Sequence, residues 1–185
     1  SKSFSSTGIE NLLIPVHLKE IGEECFYYCN NLISVKFPKN SEIASIKRKA
    51  FYQSNLKEIE IPSSVINIDE MAFSHCNQLE TFIFPKISKL KSIKLGTFSE
   101  SRLISITIPS YIETICDKAF SRCFSLKSVS FEIGSKLNSI GNSAFSSTKI
   151  ESINIPSNVI SIGENAFSDC NDLKSIIFPN DSKIK

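Results

Sequence analysis

The sequence predicts a mainly β solenoid: eight coils of alternating 22 and 25 residues, stacked so that their strands run parallel. Three series of residues carry this reading. A phenylalanine recurs at Phe4, Phe26, Phe51, Phe73, Phe98, Phe120, Phe145 and Phe167, in steps of 22, 25, 22, 25, 22, 25 and 22. Phe37, Phe84, Phe131 and Phe178 repeat every 47 residues and alternate with Ile14, Ile61, Ile108 and Ile155. Cys29, Cys76, Cys123 and Cys170 keep the same period, alternating with Thr7, Ser54, Ser101 and Thr148. The unit is therefore a pair of coils, and self-similarity at a fixed period is the signature of a stacked array.

Each coil reads in the same order, most clearly from Val159 to Lys183. Val159 and Ile162 point inward on a short extended segment, and Gly163 permits a turn. Ala166 and Phe167 put a small and a large apolar group inside, and Cys170 follows. Leu173-x-x-Ile176-x-Phe178 comes next, its last two apolar positions alternating as a half-buried strand requires. Strands are expected near Leu12, Val35, Ile59, Phe82, Ile106, Val129, Ile153 and Ile176. All seven prolines, Pro15, Pro38, Pro62, Pro85, Pro109, Pro156 and Pro179, close such a strand, where a missing amide donor does least harm. Glu132 alone breaks that column. The longer coils carry one extra residue between Phe and Leu and two in loops such as Lys39-Asn40-Ser41-Glu42. A coil this short cannot bury its interior alone, so stacking is compulsory, and the phenylalanines should form a continuous buried spine.

The unit Leu-x-x-Ile-x-Phe-Pro followed by x-x-Ile-Gly-x-x-Ala-Phe-x-x-Cys resembles the BspA-like class of leucine-rich repeats. Its best copies are Ile162 to Cys170 and Ile21 to Cys29, and the resemblance covers the whole chain. Lys47, Asp69, Lys94 and Cys116 replace the Gly, and Thr97 or Cys25 replaces the Ala. The resemblance implies a curved leucine-rich-repeat solenoid with a parallel concave sheet. It also implies a surface protein of mucosa-dwelling microbes, linked to adhesion to host matrix or cells.

Composition excludes several function classes. Charge is balanced, 21 basic against 19 acidic residues, with no basic stripe of the kind a nucleic-acid binder presents. No run of 18 apolar residues exists to cross a membrane. His17 and His75, the two histidines, occupy different repeat positions and read as solvated residues. There is no phosphate-binding glycine loop, HExxH or GxSxG, so no enzyme and no cofactor are expected. Members of the Cys29 series lie two coils apart, roughly 9–10 Å, beyond the ~7 Å span of a disulfide. They read as buried, reduced thiols behaving as small hydrophobes. Cys25 and Cys29 are spaced like metal ligands but lack further partners, so no metal is expected. Six unpaired thiols lean towards a reducing compartment, against the surface location the resemblance implies. Asn180-Asp181-Ser182 reads as a chance glycosylation sequon.

Binding is expected on the strand face. Two outward columns flank the inward residue of each strand. The first is Ser34, Glu58, Thr81, Ser105, Ser128, Ser152 and Ser175; the second is Lys36, Glu60, Ile83, Thr107, Ser130, Asn154 and Ile177. Hydroxyl ladders suit any solvated β-face. Glu58, Glu60, Ile83 and Ile177 interrupt the ladder and would set specificity. The expected function is non-enzymatic protein binding by a cell-surface adhesion module, with a host matrix or surface protein as partner. The alternative is an intracellular scaffold docking signalling or cytoskeletal partners. The chain opens midway through a coil before Phe4 and stops at Ile184-Lys185 without a cap. One solenoid domain over 1–185, part of a longer array and able to associate end to end, is the matching expectation.

Overall fold

The computed structural model describes residues 2–184, in which every regular element is a short strand. Each coil crosses two faces. The first face carries β1 (Asn11–Leu13), β3 (Ser34–Lys36), β5 (Glu58–Glu60), β7 (Thr81–Ile83), β9 (Ser105–Ile108), β11 (Ser128–Phe131), β13 (Ser152–Asn154) and β15 (Ser175–Ile177). The second carries two-residue strands: β2 (Glu20–Ile21), β4 (Ser45–Ile46), β6 (Asn67–Ile68), β8 (Ser92–Ile93), β10 (Thr114–Ile115), β12 (Ser139–Ile140) and β14 (Ser161–Ile162). All pairing is parallel, with Leu12 opposite Val35, Ile59 opposite Phe82, Ile106 opposite Val129 and Ile153 opposite Ile176. Each of the eight expected strand centres is thus the middle of an observed first-face strand or lies within it.

The expected count of eight coils needs correction. Eight first-face strands enclose only seven intervals, and the second face has seven strands, so the solenoid makes about seven turns. Eight phenylalanines mark seven full turns because the first lies midway through a coil.

The first face is also not one continuous ladder. Its strands pair as β1–β3, β5–β7, β9–β11 and β13–β15, while the second face runs as β2–β4–β6 and β8–β10–β12–β14. Within a pair, Glu80 N–H donates to Lys57 O at 2.9 Å; between pairs, Lys57 N–H reaches Ile33 O at 3.4 Å. The looser step always follows the shorter link from Phe to Leu, such as Phe51 to Leu56 rather than Phe26 to Leu32. The 47-residue unit is therefore a physical pair.

A third ladder was not expected. In every coil the residues two before and two after the core Phe have positive φ: Glu24 and Tyr28 at 53° and 57°, Lys118 and Arg122 at 54° and 59°. Alternating handedness points every second N–H group towards the following coil, while the N–H groups of Cys25 and Tyr27 turn back to Gly22 and Glu24 carbonyls. Glu24, Phe26 and Tyr28 donate to Arg48, Ala50 and Tyr52 carbonyls at 3.0, 2.8 and 2.9 Å. Left-handed backbone penalises β-branched side chains and excludes proline. All these positions obey that: apart from Gly96 they hold Lys, Ser, Glu, Tyr, Gln, Met, His, Arg, Asn or Asp.

This ladder holds the phenylalanines in register. Rings from Phe4 to Phe167 stack with centroids 5.2–5.8 Å apart and planes within 12°. Phe26 to Phe145 are buried, but Phe4 is exposed and Phe167 half-buried, so the spine is buried only in its middle.

Gly163 opens the turn, its carbonyl accepting from Ala166 N–H at 3.3 Å, but the turn does not need the conformational freedom of glycine. Gly163 has no positive φ, and a Cβ there would lie 2.5 Å from Asn142 N and 2.6 Å from Asn142 Oδ1. Gly141 meets Asp117 N and Oδ1 the same way, both at 2.5 Å. The close approach exists because Asp117 accepts from Asn142 N–H, and Asn142 Oδ1 accepts from Glu164 N–H, each at 2.8 Å. Gly141→Ala must displace backbone, so a loss of about 1–3 kcal/mol is expected by chemical denaturation.

Candidate functional site

The strand geometry puts both sequence columns on the solvent side of the first face. Every column residue is exposed except Ser34, which is half-buried. In register, Glu58 faces Thr81, Glu60 faces Ile83, Thr107 faces Ser130 and Asn154 faces Ile177. Thr107 and Ser130 join their hydroxyls at 2.9 Å, the hydrogen-bonded ladder that β-face hydroxyls favour. Ile83 is 46% and Ile177 51% exposed. The columns also begin one strand earlier, at Asn11 and Leu13, and Leu13 is 72% exposed.

One edge of this face opens into a cleft of about 450 Å³. Ser130 and Asn154 reach into it from the columns, joined by Glu132, Asn158 and Asp181. It lies where Glu132 replaces the strand-closing proline. Glu132 accepts from Ser110 N–H at 2.9 Å, and the turn at Gly134 (φ 76°) swings Ile133 fully into solvent. The sequence marked this residue as a break in the repeat; the cleft needed the neighbouring coils in place to be seen.

A second surface, missed in the sequence, lies over the phenylalanine spine. Tyr27 stacks on Tyr52 at 5.1 Å, Tyr28 meets Tyr27 edge-on at 4.4 Å, and His75 lies 4.9 Å from Tyr52. Lys49 Nζ sits over the Tyr52 ring at 5.4 Å, a cation–π contact. His75 then meets Glu100 at 3.4 Å, and Glu100 meets Arg122 at 3.5 Å. The clue was available: the residue after the core Phe is Ser in every coil except those with Tyr27 and Tyr52.

The thiols are explained by what they bond. Cys29, Cys76, Cys123 and Cys170 donate to the carbonyls of Phe4, Phe51, Phe98 and Phe145 at 2.9–3.1 Å. Each also meets the alternate hydroxyl, Thr7, Ser54, Ser101 or Thr148, at 3.2–3.6 Å. The alternation of Cys with Ser or Thr is thus one polar contact repeated. All six cysteines are free. Cys170 corrects the expectation of uniform burial, being only half-buried in the last coil. Burial pushes the Cys76 thiol up to about 11 and Cys123 to about 12, because a thiolate there would lose its hydration. Folding therefore favours their neutral forms. That stability is complete below the ordinary value of 9.0 and is lost as pH climbs towards 11 and 12. The expected result is no thiol reagent uptake by either cysteine until denaturant is added, and a denaturation midpoint that falls above pH 9.

His17 and His75 face Glu42 and Glu100 rather than a nucleophile. Among the described residues, no three His, Cys, Asp or Glu side chains converge as metal ligands would, and no helix is long and apolar enough to cross a membrane.

Comparison with curated proteins gave no match. Among solved structures, a leucine-rich repeat protein from Bacteroides ovatus is 29% identical, with a TM-score of 0.75 over 95% of this chain and 51% of that one. The pneumococcal vaccine antigen PcpA is 24% identical, with a TM-score of 0.72 over 94% of this chain and 51% of its own, a likeness of fold. The chain spans about half the length of both. The BspA type leucine rich repeat region matches in six copies across residues 1–127 and 91–185. With its motif, its parallel coils and this match in agreement, the chain belongs to the BspA-type leucine-rich repeat family.

Proposed function

We propose that this chain is a non-enzymatic protein-binding module of a cell-surface protein, engaging a host matrix or cell-surface protein through the first face. The observation that carries the reading is the in-register group Glu58, Glu60 and Ile83 on β5 and β7, exposed on a face whose columns are mostly Ser and Thr. The fold asks for nothing special there, since other coils hold Ser, Asn or Thr at the same positions. An exposed apolar residue beside charged ones on a rigid sheet suits a specific protein contact. The family match and the vaccine-antigen relative support a surface setting.

The test replaces the three residues by those of other coils: Glu58→Ser, Glu60→Asn and Ile83→Thr. Binding to immobilised epithelial-cell matrix is expected to weaken tenfold or more while the thermal midpoint stays put. Equal binding by the triple variant would remove the first face from the account. Antibody labelling of intact source cells separates the surface module from the intracellular scaffold, which predicts staining only after permeabilisation.

A further inference from the structure

The coils align the chain with itself, so a position where one residue recurs and a few coils depart shows where the fold does not demand the departure. Four residues after the core Phe, the chain carries Gly8 in the first coil and Asn30, Asn55, Asn77 and Asn171 in four others, but Arg102, Phe124 and Lys149 in three consecutive coils. Phe124 is 56% exposed although Asn would serve there. Arg102, Phe124 and Arg122 together line a recess of about 180 Å³ with Asn77, Ser101 and Glu100. Lys149 stands exposed one coil further on. The arginines are held loosely, Arg102 by Glu80 and Arg122 by Glu100, both at 3.5 Å. Glu100 itself is shared with His75, which ties the recess to the Tyr52 and Tyr27 stack.

We infer that this patch is a second interaction surface, distinct from the first face, which takes an acidic protein segment with an aromatic or aliphatic anchor. Charge decides the partner. Arg102, Arg122 and Lys149 stand against Glu80 and Glu100, three basic groups to two acidic, and guanidinium groups donate to carboxylates in paired geometry. Phe124 supplies the apolar centre around which such charges act, and Arg is among the residue types enriched where binding energy concentrates. The patch lacks the continuous basic stripe of a nucleic-acid site.

The probe is a short peptide carrying carboxylates on both sides of one central phenylalanine, titrated into the isotopically labelled chain. Shifted amide signals are expected around residues 101–103 and 122–125, with an affinity that falls as salt rises. The triple variant Arg102→Asn, Phe124→Asn and Lys149→Asn uses the residue that four other coils carry, so the fold is preserved. It is expected to bind the peptide at least tenfold more weakly, and a lysine version of the peptide should not bind the native chain. Absence of shifts at millimolar peptide, undiminished binding by the triple variant, or tighter binding of a short oligothymidylate would each overturn the inference.

Discussion

Phe120→Ala is expected to cost about 3–5 kcal/mol, a large share of the stability of a chain this size. Phe120 is fully buried, with the Phe98 ring 5.3 Å away on one side and Phe145 5.2 Å away on the other. Truncation removes two stacking contacts at once and leaves a hole the rigid ladders on either side cannot close. Because each coil touches only its neighbours, the array is nearly one-dimensional, and a weak coil near its centre uncouples the two halves. Urea denaturation followed by circular dichroism should therefore show a lower midpoint and a broadened or two-step transition. A loss under about 1 kcal/mol, with one sharp transition, would mean that the spine is not continuous through this coil.

The second large effect concerns backbone rather than side chain. Lys118 has φ 54° and donates its N–H to Asn142 O at 2.9 Å. Its side chain is exposed, so a contact-based view assigns it little importance. Lys118→Pro forces φ to about −65° and removes the donor, and a loss of roughly 3 kcal/mol or more is expected. Lys118→Gly relieves the left-handed strain while making the unfolded chain more flexible, so its effect should be small. Equal stability of the two variants by denaturant titration would contradict the third ladder.

These two positions mark what the sequence could and could not reveal. The phenylalanine series and the strands around Val35, Ile59 and Val129 were legible because burial imposes strict spacing on apolar residues. The left-handed pairs were not, because Glu24, Tyr28, Lys118 and Arg122 carry no glycine or asparagine signal; the ladder to the next coil holds them there against local preference. Cysteine alternation was visible as a pattern, but its cause, a shared Phe carbonyl, required the coils to be stacked. The close packing at Gly163 was not legible, since the backbone of the preceding coil at Asn142 leaves no trace in local sequence. At the candidate sites the outward columns followed from period-2 alternation, whereas the Glu132 cleft and the Phe124 recess each join several coils. Both begin at a residue that breaks its own column, so comparing the chain with itself would have pointed to them.

The central claim is that residues at equivalent positions are spaced by one coil rise along a single axis. Nitroxide labels attached through non-cysteine chemistry at Ser34 and Ser128, and at Ser34 and Ser175, test it directly by pulsed dipolar spectroscopy. The pairs are four and six coils apart, so at about 4.8 Å per coil the distances should be about 20 and 30 Å, each with a single narrow distribution. Equal distances for the two pairs, or a shorter one for Ser175, would contradict a parallel solenoid.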